Sequence, residues 1–564
     1  MANFDLYILY PIFIILGFVS FFFVIQKEKL KGDRLLFCFK TIFFWIVTGF
    51  SGFEILKQSN IVPSGAFNNS LFMVMSIFGT VFLSIVLRPI YSFLVFKIFK
   101  KQKKLFYLVY LFQVFMILLL FLNKNLESSH TLLIVLASIC YGGCISVSTT
   151  EFLFFNEQFF YKISAQAITW IIVTSSFLGN FIGLYIFCLT QKDLGPNAPL
   201  YMSKATNIYI HIFMLLIVFF VVYATKKIKE DPKLSGIYDE VFLTNLRPYK
   251  KRIGFLLILM AILLGFIFGI NNSAIVENLI LSFLAQSDHL TSANYNMVSR
   301  AFFISYFALA AILSYPIYHF IIKKILLSYT IASFIGIIII DYIGMIFVRD
   351  GMVMLGLLFI SNFVFSQLMY MLFSLALSWQ YRTKFFALSS IIISSSIIGV
   401  YVINILIAIL DISSNTVFYN THKFFAYYET NGMDSDKYSK MDLIGTIMLL
   451  VAAIIMMVWL IIFHFAKSEI ISEIDNFSKS RQLSKKLVQL SIIEKSKIPL
   501  TLNKSNYDFE SDILLNENLE NDPKVKNSNF LSYDVLIDEV VEPHKKNKNE
   551  IDEIDEFALD SDEF

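Results

Sequence analysis

Thirteen apolar stretches, most of them twenty residues or longer and separated by polar connections, leave this 564-residue chain few folds to choose from. They lie near residues 6–26, 35–57, 70–96, 105–123, 131–154, 166–190, 207–225, 254–284, 298–322, 326–348, 352–378, 386–410 and 442–466. Crossing a hydrocarbon layer of about 30 Å as a helix takes about 20 mostly apolar residues. Only helices and closed barrels satisfy their own backbone there, and runs that are continuous rather than alternating select helices. The 57% hydrophobic content, with 61 Phe, exceeds what a water-soluble core encloses. The chain therefore reads as an all-α integral membrane protein of about 13 spans, the longest tilted or protruding. The first run, Leu6 to Gln26, begins without a basic region and ends at KEKLKGDR with no small-residue cleavage site, so it is expected to be a retained helix.

Lys and Arg in the connections set the orientation. Alternate connections carry 22 basic residues in one set and eight in the other, the rich set including Lys97, Lys100, Lys101, Lys323 and Lys324. The amino terminus is expected outside and the carboxyl terminus in the cytoplasm of a plasma membrane, and the high Lys, Phe, Ile and Asn content resembles an AT-rich bacterial genome. The stretch PIYSFLVFKI, from Pro89, returns 227 positions later as PIYHFIIKKI, from Pro316, with six of ten residues identical. Apart from the first helix, both copies end the second span of a six-span half and run into a basic turn. A parallel repeat of two six-helix bundles follows: an extra helix over 1–33, bundles over 34–225 and 254–466 joined by a cytoplasmic linker over 226–253, and a tail over 467–564.

After the second core helix comes SFLVFKIFKK, with basic residues at Lys97, Lys100 and Lys101. This resembles the signature of the major facilitator superfamily, roughly G-x-x-x-D-R-x-G-R-R, with Ser92, Phe96 and Phe99 in place of the glycines and the acid, and the resemblance covers about residues 35–466. FGINNSAIVENLILSFLAQSDHLTSANYNMVSRAFFISYFALAAILSYPIYHF supplies a first helix, short outer loop and second helix of the expected lengths in the second half. In the fourth core helix ASICYGGCIS keeps the glycines Gly142 and Gly143, while the usual upstream arginine falls on Ser138. In the fifth, Gly179 and Gly183 are similar to an antiporter motif without its proline. This resemblance implies a secondary transporter moving a small organic solute by alternating access. GFSGFEILKQ also resembles the first helix of organophosphate:phosphate antiporters, which implies a cavity-facing cation at Lys57 and a sugar phosphate or other organophosphate as solute. Their second basic residue has no counterpart here, and Arg300 is the nearest stand-in. The alternatives are a drug or metabolite efflux carrier and a non-transporting membrane sensor or scaffold.

Ionisable groups in hydrocarbon cost on the order of 3 kcal/mol or more, so each needs an explanation. Asp341, in IIIIDYIGM, serves either ion coupling or solute passage, or else a structural hydrogen bond. Glu54 and Glu277 occupy the first helix of each half; Glu54 lies 20 residues past Arg34, about 30 Å along a helix, so it is either a solute or gate residue or an exposed helix end. Asn271 and Asn272 either bind solute or mark an unwound, hydrated segment. Arg88 reads as a snorkelling residue at the cytoplasmic boundary rather than a ligand, and His211 as a packed residue rather than a proton relay. The cytoplasmic gate then comprises Arg88, Lys97, Lys100, Lys101, Lys323 and Lys324.

No phosphate-binding glycine loop, HExxH or nucleophile elbow occurs, so gradient-driven carriage is expected rather than enzymatic chemistry. No cofactor is expected, and no metal: Cys140 and Cys144 are a helical turn apart but lack partnering ligands, and Cys38 and Cys188 behave as small hydrophobes. Proton or phosphate is the expected coupling ion, lipid the surroundings, and nucleic acid no partner. Residues 467–498 read as a charged amphipathic helix on the membrane surface. Thr501 to Phe564, with 18 acidic and six lysine residues, reads as a disordered tail that either recruits a cytoplasmic partner or is simply solvated.

Overall fold

A computed structural model describes residues 5–59, 83–95, 102–125, 131–159, 165–190, 204–230, 251–286, 306–323, 327–383, 388–414, 416–419, 421–432 and 435–497. Eleven of the described helical stretches are long and apolar enough to cross a membrane; two shorter ones, Leu83–Phe93 and Tyr306–Ile322, complete the expected order of thirteen. Large apolar side chains stand exposed along them, Phe219, Phe255 and Phe347 among them. Such a surface is tolerable in hydrocarbon and an aggregation hazard in water. The protein is a multi-pass helical membrane protein.

The helices are α1 (Tyr10–Lys27), α2 (Asp33–Ser59), α3 (Leu83–Phe93), α4 (Gln102–Asn125), α5 (Thr131–Ile145), α6 (Ser148–Phe159), α7 (Ala165–Thr190) and α8 (Lys204–Lys227). They continue with α9 (Lys251–Asn271), α10 (Ala274–Gln286), α11 (Tyr306–Ile322), α12 (Leu327–Phe347), α13 (Gly351–Thr383), α14 (Leu388–Ser414), α15 (Thr421–Asn431) and α16 (Ser435–Lys497). Two spans are broken. α5 and α6 share the span Leu132–Phe155 and part at Ser146–Val147, where the Ser146 hydroxyl bonds back to Gly142 O at 2.5 Å. α9 and α10 share Arg252–Gln286 and part at Asn272–Ser273; Ser273 Oγ then accepts from the Val276 N–H at 3.4 Å, an N-cap that restarts the helix.

Both halves are built on the same close pair, the first core helix against the fifth. In the first half α2 lies on α7: a Cβ at Gly179 would stand 2.4 Å from Ile42 O, and one at Gly183 2.5 Å from Ile46 O. In the second half α9 lies on α14: a Cβ at Gly265 would stand 1.7 Å from Ser396 O, and one at Gly399 2.3 Å from the Phe266 backbone nitrogen. With little hydrophobic drive between helices in lipid, backbones held together through small residues supply the packing. Gly179 and Gly183, read in sequence as a transporter motif, thus have a packing duty.

The extra helix α1 bridges the halves. Tyr10 stands edge-on to Phe181 and Tyr185 of α7 at 5.6 and 6.0 Å. Lower down, Phe23 meets Tyr315 and Phe320 of α11, both at 5.8 Å, and the Tyr315 hydroxyl donates to Glu28 at 2.6 Å.

Two expectations need correction. Pro89 and Pro316 do not end their spans; both lie inside helices, the second followed by a widened π turn at Tyr318–Ile322. A proline within a helix removes the N–H that would bond the carbonyl four residues back. For Pro89 that carbonyl is Ile85 O, and Ser394 of α14 donates to it at 2.8 Å. A group from the other half therefore keeps α3 intact. Nor does a separate surface helix begin at residue 467, because α16 runs on to Lys497. The acidic segment from Thr501 lies outside the described residues.

Candidate functional site

Where the halves meet, polar and aromatic side chains form a continuous seam. On one side α3 crosses α14: Ser92 Oγ and Ser390 Oγ are 2.6 Å apart, Ser390 Oγ donates to Thr149 Oγ1 at 3.2 Å, and Ser394 reaches Ile85 O as described. On the other, Phe177 of α7 packs against Tyr306 and Phe307 of α11 at 5.1 and 5.7 Å and against Tyr370 of α13 at 5.6 Å. Phe268 of α9 closes the wall, 4.8 Å from Tyr306 and 4.9 Å from Phe365. Serine hydroxyls exchange hydrogen-bond partners at low energetic cost, and ring contacts of this kind slide. Such a seam can hold two halves together and also let them part.

Arg88 lies within this seam and is only 5% exposed. It does not snorkel to water from the end of α3, as the sequence suggested. Its Nη1 faces Ser84 O and Oγ at 3.5 and 3.4 Å, and its Nη2 faces Ile145 O at 3.3 Å, all longer than a usual N–H···O bond. Ile145 ends α5, where the break in that span leaves carbonyls unpaired; Tyr91, one turn on from Arg88, donates to Gly143 O at 3.2 Å. The chain breaks and the arginine thus belong to one local arrangement.

Most other sequence candidates lie off the seam. Glu54 is not an exposed helix end: it is fully buried inside the first half, with Oε2 3.6 Å from His211 Nε2 on α8. His211 is packed between Phe50 and Phe121 and bonds Asn207 O through Nδ1 at 2.8 Å. Asn271 is a buried hub of the second half. Its Nδ2 donates to Ser361 Oγ at 3.2 Å and Asn362 Oδ1 at 3.1 Å, while Tyr342 donates to its Oδ1 at 2.7 Å. That network ties α9 to α12 and α13 and occupies the side chain. Asn272, at the break, is exposed and bonds Phe268 O; Glu277 is half-buried in the first turn of α10. Asp341 is buried on α12 beside Tyr342. Lys323 is half-buried at the end of the π turn. Lys97, Lys100, Lys101, Arg300 and Lys324, and the side chain of Lys57, lie outside the described residues.

Sequence reasoning missed a deeply buried ion pair. Lys40 of α2 and Glu151 of α6 form an ion pair at 2.5 Å, each side chain 1% exposed. Trp45 Nε1 donates to the second carboxylate oxygen at 3.1 Å, and the ammonium lies 4.3–5.6 Å from the Phe106, Phe37 and Phe44 ring centroids. A signal was present, because both residues interrupt apolar runs. The pair ties α2 to α6 within the first half.

No family model and no curated protein matches the chain. Among solved structures it is similar to the E. coli fucose:proton symporter FucP, at 13% identity and a TM-score of 0.44, over 74% of this chain and 98% of that one. It is also similar to a bacterial homologue of the iron transporter ferroportin in an outward-facing state, at 12% and 0.46, over 76% and 99%. A third is the human organic anion transporter MFSD10, at 12% and 0.43, over 74% and 100%.

Proposed function

We propose that this protein is a secondary transporter of the major-facilitator type, carrying a small organic solute across a plasma membrane by alternating access between its two six-helix halves. The observation that carries this reading is the duplicated core, a glycine-notched first-to-fifth helix pair in each half, with an adaptable seam between them. Two rigid bundles with a weakly bonded interface are what rocking requires. In this reading the amino terminus is outside and the tail cytoplasmic, and the solute is a sugar phosphate or other organophosphate exchanged for phosphate or accompanied by a proton. The broken spans at Ser146–Val147 and Asn272–Ser273 suit it, since interrupted helices in transporters border the solute path.

Ser92 and Ser390 give the test. In a chain whose Cys38, Cys140, Cys144 and Cys188 are replaced, Ser92→Cys with Ser390→Cys brings two thiols within bridging reach. Reconstituted in liposomes and assayed over a panel of sugar phosphates, organic acids and sugars, the reduced protein should accumulate at least one solute. Oxidation should cut that flux by tenfold or more, and reduction should restore it. Flux that survives a complete cross-link contradicts rocking at this seam, and absence of flux across the panel favours the scaffold reading.

A further inference from the structure

We infer that Arg88 is the recognition point for an organic oxyanion, a carboxylate or phosphoryl group on a body with apolar or aromatic surface, bound between the two halves. This deepens the carrier reading and rests on it. The argument begins with charge. Among the described residues every acceptor facing the guanidinium is an uncharged oxygen, Ser84 O, Ser84 Oγ or Ile145 O, and no carboxylate pairs with it. The carbonyl end of α5 supplies about half a negative charge at most. Among the described residues the buried cation is left largely uncompensated, an unfavourable state that an arriving anion would relieve.

Geometry agrees with charge. Arginine has five N–H donors, and Nε is buried with no hydrogen-bond partner among the described residues. Nε–H with one Nη–H forms an edge that grips the two oxygens of a carboxylate or phosphate in parallel. The residues around it come from both halves: Tyr141 of α5 and Tyr370 of α13 lie near the guanidinium, and Tyr370 in turn hydrogen-bonds Tyr306. Ile85 and Ser92, on the same face of α3, hold α14 through Ser394 and Ser390. An anion at Arg88 would therefore touch the contacts that must break and re-form as the halves move. Phe177 and Phe268 supply the apolar wall for its body.

The experiment uses the purified full-length chain in lipid nanodiscs and two matched pairs of probes, benzoate against benzyl alcohol and glucose 6-phosphate against glucose. The inference expects at least one anion to bind and its uncharged counterpart not to. The benzoate and glucose 6-phosphate arms separate a carboxylate site from a phosphoryl site. Arg88→Gln should weaken that binding at least thirtyfold. Arg88→Lys, which keeps the charge and loses the fork, should weaken it severalfold, and it decides the matter if Arg88→Gln does not yield a monodisperse protein. Binding of neither anion, or anion binding unchanged in these variants, overturns the inference. Liposome flux separates this from the carrier reading: anion binding through Arg88 without transport sinks carriage and keeps the site. Glucose flux that is indifferent to Arg88→Gln keeps carriage and sinks the site.

Discussion

Replacing Glu151 by Gln should destabilise the protein by about 3–5 kcal/mol, the cost of leaving one partner of a buried ion pair unpaired. Lys40 would then hold an ammonium 1% exposed among Phe37, Phe44 and Phe106, with ring faces in place of a carboxylate. Ring faces offset part of the loss, about 0.5–2 kcal/mol by usual cation–π magnitudes, so the variant should remain well below the parent. Trp45 would also lose the charge on its acceptor. The double variant Lys40→Met with Glu151→Leu removes both charges and fills the same space, and it should recover most of the stability. Unfolding by titration with a denaturing detergent measures all three proteins. A single variant as stable as the parent would mean the pair is not held as described.

The second large effect is steric. Gly265→Ala places a methyl group 1.7 Å from Ser396 O, a backbone atom that cannot rotate away, so α9 and α14 must separate by more than an ångström. Overpacking of this kind costs about 1–3 kcal/mol or more. Gly179→Ala, 2.4 Å from Ile42 O, repeats the insult in the other half and should behave alike. Gly356→Ala, with no atom within 4 Å, should change stability by less than about 0.5 kcal/mol or raise it slightly. Equal tolerance at Gly265 and Gly356 would remove the glycine-notched pair from the account.

Membrane class and the order of thirteen helices were legible because length and continuity of apolar runs are local properties. Partnership was not. Counting residues from Arg34 gave Glu54 a depth along α2 but not a direction, and its direction is toward His211 on a helix more than 150 residues away. Pro89 looked like a terminus because the group that rescues its orphaned carbonyl, Ser394, comes from the other half. Arg88 looked like a boundary residue for a related reason: nothing along α3 reveals that α5 breaks beside it. Asn271 and Asn272 were flagged together at a break, and one became a buried hub while the other stayed exposed. Lys40 and Glu151 carried the clearest signal, two charges in hydrocarbon-length runs, and the pairing rule for such charges applies to them directly.

The central claim is that two bundles rock about the seam, and distances between the halves test it most directly. Tyr107 and Tyr329 begin the third core helix of each half, Leu122 and Phe347 end it, and all four side chains are exposed. Spin labels at Tyr107 with Tyr329, and separately at Leu122 with Phe347, report the two ends of the molecule by pulsed electron–electron resonance in nanodiscs. Rocking predicts two populations for each pair, with one separation shortening as the other lengthens when solute or pH shifts the balance. A single unchanging distance at both ends, or two separations that grow together, would contradict it.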